Sequence, residues 1–227
     1  MANELSRRDA IAGAGALGLG LFFTNGCGWV DAAGTTMHEN AVAAGSCTLT
    51  KELTEGPYWI PNNLTRRDVT EGRHGVPLSL VLTVEDASCN VLTGADVEIW
   101  HTDAKGVYSG VAGSSSSSRF MRGHQKTNSK GVARFDTIYP GWYQGRTPHI
   151  HLKVHVGGNE VHTGQLFFRS GYSRRVYTTR YYKSRGQADT TNASDGIYES
   201  GSLLDLTRRQ GKALRYIGRK TLVVNTA

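Results

Sequence analysis

The sequence has little proline (5 residues), cysteine (3) and methionine (3), and beyond its N-terminus it has no uncharged apolar run of 18 residues. A polytopic membrane protein is therefore excluded, because each transmembrane helix needs about 20 apolar residues. Runs of helix-favouring Ala, Leu, Glu and Lys are scarce, whereas Gly (28) and Tyr (10) are abundant among the 227 residues. With 38% hydrophobic residues the chain has enough apolar surface for a core, which argues against overall disorder. The composition is typical of a turn-rich β protein.

The chain is basic, with a formal net charge of +7. Residues 1–30 contribute none of this excess, and much of it lies in residues 174–220. A basic surface suits nucleic acids or other anionic polymers, but the sequence contains no signature of a nucleic-acid-binding module. We therefore interpret the charge as a solubility feature and expect no nucleic-acid partner.

The N-terminus has the pattern of an export signal. Ser6-Arg7-Arg8-Asp9 is followed by a Gly- and Ala-rich apolar run, residues 10–23, which is too short for a stable transmembrane helix. Paired arginines before such a run are typical of twin-arginine export; a disordered tail or a short core helix are the alternatives. Ala41-Val42-Ala43 is a candidate cleavage site, and Cys27 is a poor candidate for lipidation. We expect residues 1–46 to be signal peptide and linker. The protein would then be secreted, periplasmic or at the cell surface, and would meet a membrane only through this signal or a lipid anchor.

The cysteines fit an exported protein. Cys27 lies in the leader, so Cys47 and Cys89 remain as an even pair. In an oxidising compartment these two residues are expected to form one disulfide, and two separate buried thiols are the alternative. Neither cysteine belongs to a C-x-x-C pattern, which argues against a structural zinc site.

Residues 47–227 carry short segments of alternating apolar and polar residues, punctuated by turns. This pattern predicts an all-β protein with a single β-sandwich domain, Greek-key and prealbumin-like, with long loops and few helices. Residues 170–218 show no such alternation and are expected to be irregular, and the five-serine run at 114–118 is expected to be a flexible loop. The predicted strands cover residues 78–85, 94–100, 133–138, 149–156, 165–168 and 221–224.

The strand at 149–156 carries the first sign of chemistry. His149 and His151 lie on the same face of this strand, about 6–7 Å apart along the chain, so both imidazoles can reach one ion. Alone the pattern is weak, because a histidine on the polar face of a strand is more often simply solvated. Arg146 and Tyr143 shortly upstream, and Tyr108 after an earlier strand, give the pair a richer context.

The order of several motifs resembles one family over most of the mature chain. The chain is similar to the intradiol ring-cleavage dioxygenases (catechol and protocatechuate dioxygenase-like proteins), and especially to their compact secreted branch. The motifs that carry the resemblance are Leu53-Thr54-Glu55-Gly56-Pro57-Tyr58, Ile99-Trp100-His101-Thr102-Asp103, Gly106-Val107-Tyr108-Ser109-Gly110, Tyr139-Pro140-Gly141-Trp142-Tyr143, Arg146-Thr147-Pro148-His149-Ile150-His151, Thr163-Gly164-Gln165-Leu166-Phe167-Phe168, Asp189-Thr190-Thr191-Asn192 and Asp195-Gly196-Ile197.

The resemblance implies a metal centre. The family binds one non-haem Fe(III) per chain through two tyrosines and two histidines, which here are Tyr108, Tyr143, His149 and His151. The donor set is chemically sensible, because phenolate oxygens suit a hard trivalent ion and imidazole is compatible with iron. For either tyrosine alone, ordinary aromatic packing would be the simpler interpretation.

The resemblance also implies a reaction with a catechol and O2. Both oxygen atoms enter the substrate, and the ring is cut between the two hydroxyl-bearing carbons to give a muconate-type diacid. Tyr143 is expected to leave the metal as catechol binds, and Arg146 to stabilise negative charge on the substrate, with a surface salt bridge as its alternative. Gln165 is expected to orient ligands or substrate, or else to be a polar strand-edge residue. Tyr58 and Trp142 are expected either to line the pocket or to pack in the core.

The sequence departs from the family pattern in two places, and two rival interpretations are open. Thr102 stands where secreted relatives often carry cysteine, and residues 1–46 offer no counterpart to the family's helical dimer region, so we expect a monomer or small homo-oligomer. One rival is a cupin-like metalloenzyme that uses His149 and His151 for Mn(II), Zn(II) or Fe(II). The other rival is a secreted β-sandwich module that binds carbohydrate through its aromatic residues.

Overall fold

The computed structural model describes residues 46–111, 117–209, 211 and 213–226. The predicted export signal, Cys27, the cleavage candidate at 41–43 and residues 114–116 of the serine run lie outside the described residues. Within the described part of the chain, no helix is both long enough and apolar enough to span a bilayer.

Eight strands and one short helix form the described fold. The strands make two four-stranded sheets, in the orders β4-β1-β8-β7 and β3-β2-β5-β6, and the buried apolar side chains of both contribute to one core. The all-β sandwich predicted from the sequence is therefore confirmed. The elements are β1 Pro77–Asp86, β2 Asp96–Trp100, β3 Arg122–Lys126, β4 Val132–Ile138, β5 His149–Val156, β6 Asn159–Phe167, α1 Ser170–Val176, β7 Asp205–Arg208 and β8 Tyr216–Val224.

The expectation that residues 170–218 are irregular was wrong in part, because only the stretch between residues 177 and 204 is mostly turns and loops. Helix α1, strand β7 and the first residues of β8 lie in this range. Strand β7 is four residues long and lies at the edge of its sheet, where it pairs only with β8, so it carries almost no alternation of its own. Strand β3 was also missed, because its sequence is polar and its pairing with β2 is what makes it a strand.

The β1 and β5 strands show how the sandwich is held together. On β1, alternate side chains from Leu78 to Val84 are at most 1% exposed, and on β5 the same holds from Ile150 to Val154. Each fully buried aliphatic side chain of this kind contributes about 1.5–3 kcal/mol relative to exposure. These rows face the opposite sheet, which leaves the odd-numbered residues of β5 on the outer face of their own sheet.

A segment at residues 53–62 contacts that outer face. The Trp59 indole and the Asn62 amide donate hydrogen bonds to the two carboxylate oxygens of Glu98 on β2, at 3.1 and 2.8 Å. On β3, the Arg122 guanidinium donates to the carbonyl of Tyr58 at 2.7 Å. The outer face is therefore partly covered, and this produces a buried polar layer between sheet and segment.

The Cys47–Cys89 disulfide expected from the sequence is present, with the two Cα atoms 5.3 Å apart. The Cys47 amide donates to the carbonyl of Ala87, and the following residues continue the attachment. Thr50 donates to the carbonyl of Val223 on β8 and Leu53 to that of Thr163 on β6. The covering segment is thus tied to the sandwich before it reaches the outer face.

Candidate metal centre

Four side chains converge in the polar layer outside β5. The Nε2 atom of His149 lies 3.0 Å from Nε2 of His151, 3.3 Å from the Tyr143 hydroxyl and 3.4 Å from the Tyr108 hydroxyl. The ring centroids of Tyr108 and Tyr143 are 5.7 Å apart, and those of Tyr108 and His151 6.1 Å. The four residues that the resemblance grouped therefore face a common point.

Strand register positions the two histidines. His149 and His151 are alternate residues of β5, so their side chains leave the sheet on the same side. On the adjacent strand β2, Trp100 pairs with His151 and its ring stacks on the imidazole, with centroids 4.9 Å apart and an interplanar angle of 7°. This packing fixes the plane of the His151 ring.

A tight turn before Tyr108 positions the first phenol. The carboxylate of Asp103 accepts hydrogen bonds from the amides of Lys105 and Val107, at 2.8 and 3.1 Å. Gly106 has φ of 74°, and a Cβ at this position would collide with the carbonyl of Trp142. Glycine is therefore required both for the backbone conformation and for the close approach.

A backbone carbonyl fixes the tautomer of His149. Its Nδ1–H donates to the carbonyl of Thr147 at 2.7 Å, so the lone pair of Nε2 points towards the cluster. Metal-binding histidines generally donate their other N–H in this way. Burial lowers the pKa of His149 to about 3. The pKa of His151 is also lowered well below 6.5, mainly by burial and secondly by the repulsion that a protonated His149 would exert. Both imidazoles are therefore neutral donors at ordinary pH.

The two phenols are in low-dielectric surroundings. Burial raises the pKa of Tyr108 well above 10, since this residue is only 4% exposed. Burial also raises the pKa of Tyr143, although the charge of Arg146 opposes that shift. A strong positive charge at the common point is what would convert both phenols into anionic ligands.

The residues present fit a transition-metal ion. Two donors bound to one ion at about 2.1 Å, at right angles or slightly wider, lie about 3.0–3.4 Å apart. The His149 contacts of 3.0, 3.3 and 3.4 Å fall in this range. Among the described residues, no group of three or more His, Cys, Asp or Glu side chains could hold a metal, so the centre depends on its tyrosines.

Arg146 and Gln165 lie together beside the cluster. The guanidinium of Arg146 donates to Oε1 of Gln165 at 2.5 Å and to the carboxylate of Asp195 at 2.9 Å. The amide of Gln165, in turn, donates to the carbonyl of Thr54 at 2.8 Å, in the segment that covers the face. Both predicted residues thus belong to one hydrogen-bonded network next to the candidate ligands.

The two aromatic residues predicted for the pocket lie in different places. Tyr58 stacks on Tyr108, with centroids 4.5 Å apart, and meets Tyr143 edge-on at 6.0 Å. Trp142 is half-buried, its indole donates to the carbonyl of Gly186, and the guanidinium of Arg185 lies 4.3 Å from its ring centroid. Tyr58 therefore packs against both candidate tyrosine ligands, whereas Trp142 packs against the hydrophobic core and the 185–186 turn.

Sequence reasoning missed three residues around the centre, namely Trp100, Arg122 and Asp195. Trp100 and Arg122 are fully buried, and burial lowers the pKa of Arg122 to about 10. Asp195 stood in one of the motifs that carried the resemblance, but a carboxylate in a loop gave no sign of its partner. Nothing in the polar sequence around Arg122 indicated that its guanidinium would be enclosed.

Comparison with known proteins gives the family. A family model described as "Dioxygenase" matches residues 54–182, more than half of the chain. An intradiol ring-cleavage dioxygenase from Tetranychus urticae is 33% identical, with a TM-score of 0.74, over 79% of this chain and 95% of the other. The chain belongs to the intradiol ring-cleavage dioxygenase family.

Two other relatives extend the comparison. The dioxygenase domain of a dioxygenase carbohydrate-binding protein fusion from Streptomyces sp. SirexAA-E is 29% identical, with a TM-score of 0.62, over 79% of this chain and all of that domain. Catechol 1,2-dioxygenase 1 from Acinetobacter lwoffii is 30% identical over 145 residues, which is 58% of this chain and 45% of that protein. The chain spans about half the length of the curated relatives it matches.

The segment that the family model matches contains all four candidate ligands. It also contains Arg146 and Gln165, whereas Asp195 lies beyond its end at residue 182. The network around the centre is therefore built partly from a region beyond the segment that the family model matches, although one of the motifs that carry the resemblance lies there.

Proposed function

We propose that this member of the intradiol dioxygenase family is a secreted non-haem Fe(III) enzyme, with one iron per chain, that inserts both atoms of O2 into a catechol. The ring is cleaved between its two hydroxyl-bearing carbons, and the product is a muconate-type diacid. The convergence of two phenols and two imidazoles on one point carries this proposal. Curated relatives named as catechol and chlorocatechol 1,2-dioxygenases support the substrate class.

In this proposal Tyr108, Tyr143, His149 and His151 hold the iron. When bound, Fe(III) supplies the Lewis-acid and redox chemistry that makes the catechol ring reactive towards O2. The two neutral imidazoles add no charge, so the two phenolates offset most of the charge of the ion in a buried site. This combination is one that a Zn(II) or Mn(II) site of the cupin type would not use.

The two tyrosines have different roles because their burial differs. Tyr108 is 4% exposed and is stacked under Tyr58, whereas Tyr143 is half-buried at the edge of the site. Tyr143 is therefore the phenol that gives way to the substrate and takes up one catechol proton at its hydroxyl oxygen. Arg146, whose guanidinium donates to Oε1 of Gln165 at 2.5 Å, stabilises the negative charge that the substrate then carries.

Tyr58 orients an aromatic substrate and limits the access of water. Its ring lies flat against Tyr108 and edge-on to Tyr143, and Arg122 holds its backbone carbonyl at 2.7 Å. The planar ring of a catechol can pack against these aromatic rings with favourable offset-stacked or edge-on contacts.

Secretion remains part of the proposal. The twin-arginine pattern at Ser6-Arg7-Arg8-Asp9 and the Cys47–Cys89 disulfide both support an oxidising destination. Export in the folded state would also allow iron to be loaded before transport.

The test is turnover of catechol by iron-loaded protein under ¹⁸O₂. We expect a ring-opened diacid that carries two labelled oxygen atoms. His149→Gln should abolish turnover, whereas His162→Gln, a change at an equally buried histidine on β6, should keep it. Release of unlabelled product, or no ring opening by protein that contains one iron per chain, would refute the proposal. Zinc or manganese in place of iron would favour a cupin-like activity, and binding of carbohydrate without metal would favour the binding module.

A further inference from the structure

The loop at residues 189–198 lies beyond the family match but reaches the metal centre. Its own backbone closes it, because the amides of Ser194 and Asp195 both donate to the carbonyl of Thr191, at 3.1 and 3.0 Å. The amide of Tyr198 then donates to the carbonyl of Asp195 at 3.1 Å. Asp195 is thus held in a compact turn, and its side chain is only 1% exposed.

The carboxylate of Asp195 binds two successive residues of the ligand-bearing segment. Oδ2 accepts from Nε of Arg146 at 2.9 Å and from the amide of Thr147 at 2.8 Å. Oδ1 accepts from the amide of Ile197 at 2.9 Å, within the loop itself. Among the described residues, Asp195 is the one carboxylate within ion-pair distance of Arg146.

The same loop also reaches His149 through Thr147. The Thr147 hydroxyl donates to the Asn192 side chain at 2.7 Å, and the Asn192 amide donates to the carbonyl of Phe168 at 2.9 Å. The carbonyl of Thr147 accepts the Nδ1–H of His149 at 2.7 Å. Thr147 is therefore held by the loop through its N–H and its hydroxyl, while its C=O orients a candidate ligand.

We propose that Asp195 is a positioning residue for the dioxygenase reaction, because its carboxylate fixes Arg146 beside the substrate and, through Thr147, aims His149 at the metal. This inference rests on the proposed function of the same site. A surface ion pair would contribute little, but here Asp195 is fully enclosed and Arg146 is 15% exposed, so the contact restricts both groups strongly. The loop outside the family match then completes the active site.

Asp195→Asn is the informative substitution. The Asp195 carboxylate accepts hydrogen bonds on both oxygens, so an amide in either orientation points its NH2 group at one or more N–H donors. A control of the same chemistry exists on the other sheet, where the partly exposed carboxylate of Asp136 binds Nε of Arg67 at 2.8 Å. Asp136→Asn removes a partly exposed carboxylate–guanidinium contact away from the candidate ligands.

The first measurement needs neither iron nor substrate. In ¹⁵N NMR of the metal-free protein, we expect a protected Arg146 Nε–H signal, identified by its absence in Arg146→Lys. The signal should exchange rapidly or shift in Asp195→Asn and should stay unchanged in Asp136→Asn. An identical Arg146 signal in wild type and Asp195→Asn would overturn the inference.

The second measurement uses the iron-loaded protein with catechol and O2, with rates expressed per bound iron. Loss of a residue that orients metal ligands typically lowers activity about 10- to 100-fold, and we expect kcat/KM of Asp195→Asn to fall by this factor. Asp195→Asn should add less than its own full loss to Arg146→Lys, because part of its effect passes through Arg146 and only the remainder through Thr147. Unchanged kcat and KM per iron would mean a merely structural role, and independent multiplication of the two losses would also contradict the inference. Wild-type protein that fails to cleave catechol would refute the proposed function alone, and the NMR result would still decide the role of Asp195.

Discussion

Loss of the Cys47–Cys89 disulfide is expected to destabilise the protein strongly. The disulfide closes a loop with a sequence separation of 42 residues, which contains the whole covering segment and strand β1. In the chain-entropy treatment, a crosslink over such a loop lowers the entropy of the unfolded chain by about 13 cal/mol/K. At 25 °C this corresponds to about 4 kcal/mol of unfolding free energy.

The expected shift in melting temperature follows from this value. For a domain of about 150–250 residues, each kcal/mol changes Tm by about 2–4 °C, so Tm should fall by about 8–16 °C. Loss of the disulfide is also expected to loosen the candidate metal centre. Residues just after Cys47 attach the covering segment to Val223 and Thr163, and this segment carries Tyr58.

Urea unfolding of the Cys47→Ser/Cys89→Ser variant, in a Cys27→Ser background that prevents thiol exchange, measures this quantity. The Cys27→Ser protein is the reference, and its treatment with reductant should reproduce the instability of the double variant. A difference below about 1 kcal/mol would refute the reasoning, because it would mean that the loop is already constrained in the unfolded chain.

Three further predictions concern the site and its surroundings. Tyr108→Phe should weaken and shift the visible absorption of iron-loaded protein, because one phenolate ligand remains, or should lower its iron content, as read by absorbance and metal analysis; an unchanged spectrum with unchanged iron content would remove Tyr108 as a ligand. Gly56→Ala should destabilise the protein by about 1–2 kcal/mol in urea unfolding, because φ is 73° and a Cβ would lie 3.3 Å from Cε1 of His151; an unchanged midpoint would contradict this. Burial raises the pKa of Glu98, so its folded-state pKa exceeds the unfolded value and its contribution to stability declines as pH rises. The stability of wild type relative to Glu98→Gln should therefore increase as pH falls from 7 towards 5, and a constant difference would show that the shift is absent.

The sheets were predictable where one face of a strand enters the core. Strand β1 alternates strictly over its length, and the observed Pro77–Asp86 extends the predicted 78–85 by one residue at each end. Strand β3 could not be predicted, since Arg122–Lys126 is polar throughout and its conformation depends on pairing with β2. Gly123 in this strand also depends on a residue distant in sequence. A Cβ at this position would lie 2.8 Å from the side chain of Val69.

The candidate ligands were predictable because their types and order are distinctive. Spacing alone grouped only His149 and His151, and both Tyr108 and Tyr143 were assigned as ligands through the resemblance. Asp195 and Arg122 could not be assigned, because each acquires its role from a contact with a residue 49 or 64 positions away, Arg146 and Tyr58 respectively. A buried carboxylate or guanidinium is placed by tertiary packing, which leaves no periodic signal in the sequence.

The most direct test of the account is the visible spectrum of iron-loaded protein before and after anaerobic addition of catechol. Two tyrosinate ligands predict a broad absorption from charge transfer to Fe(III), and the band should shift to longer wavelength as catechol binds. His149→Gln at equal iron content should lose or alter this band, and His162→Gln should retain it. A colourless protein with one bound iron per chain, or a band that catechol leaves unchanged, would contradict the proposed metal centre.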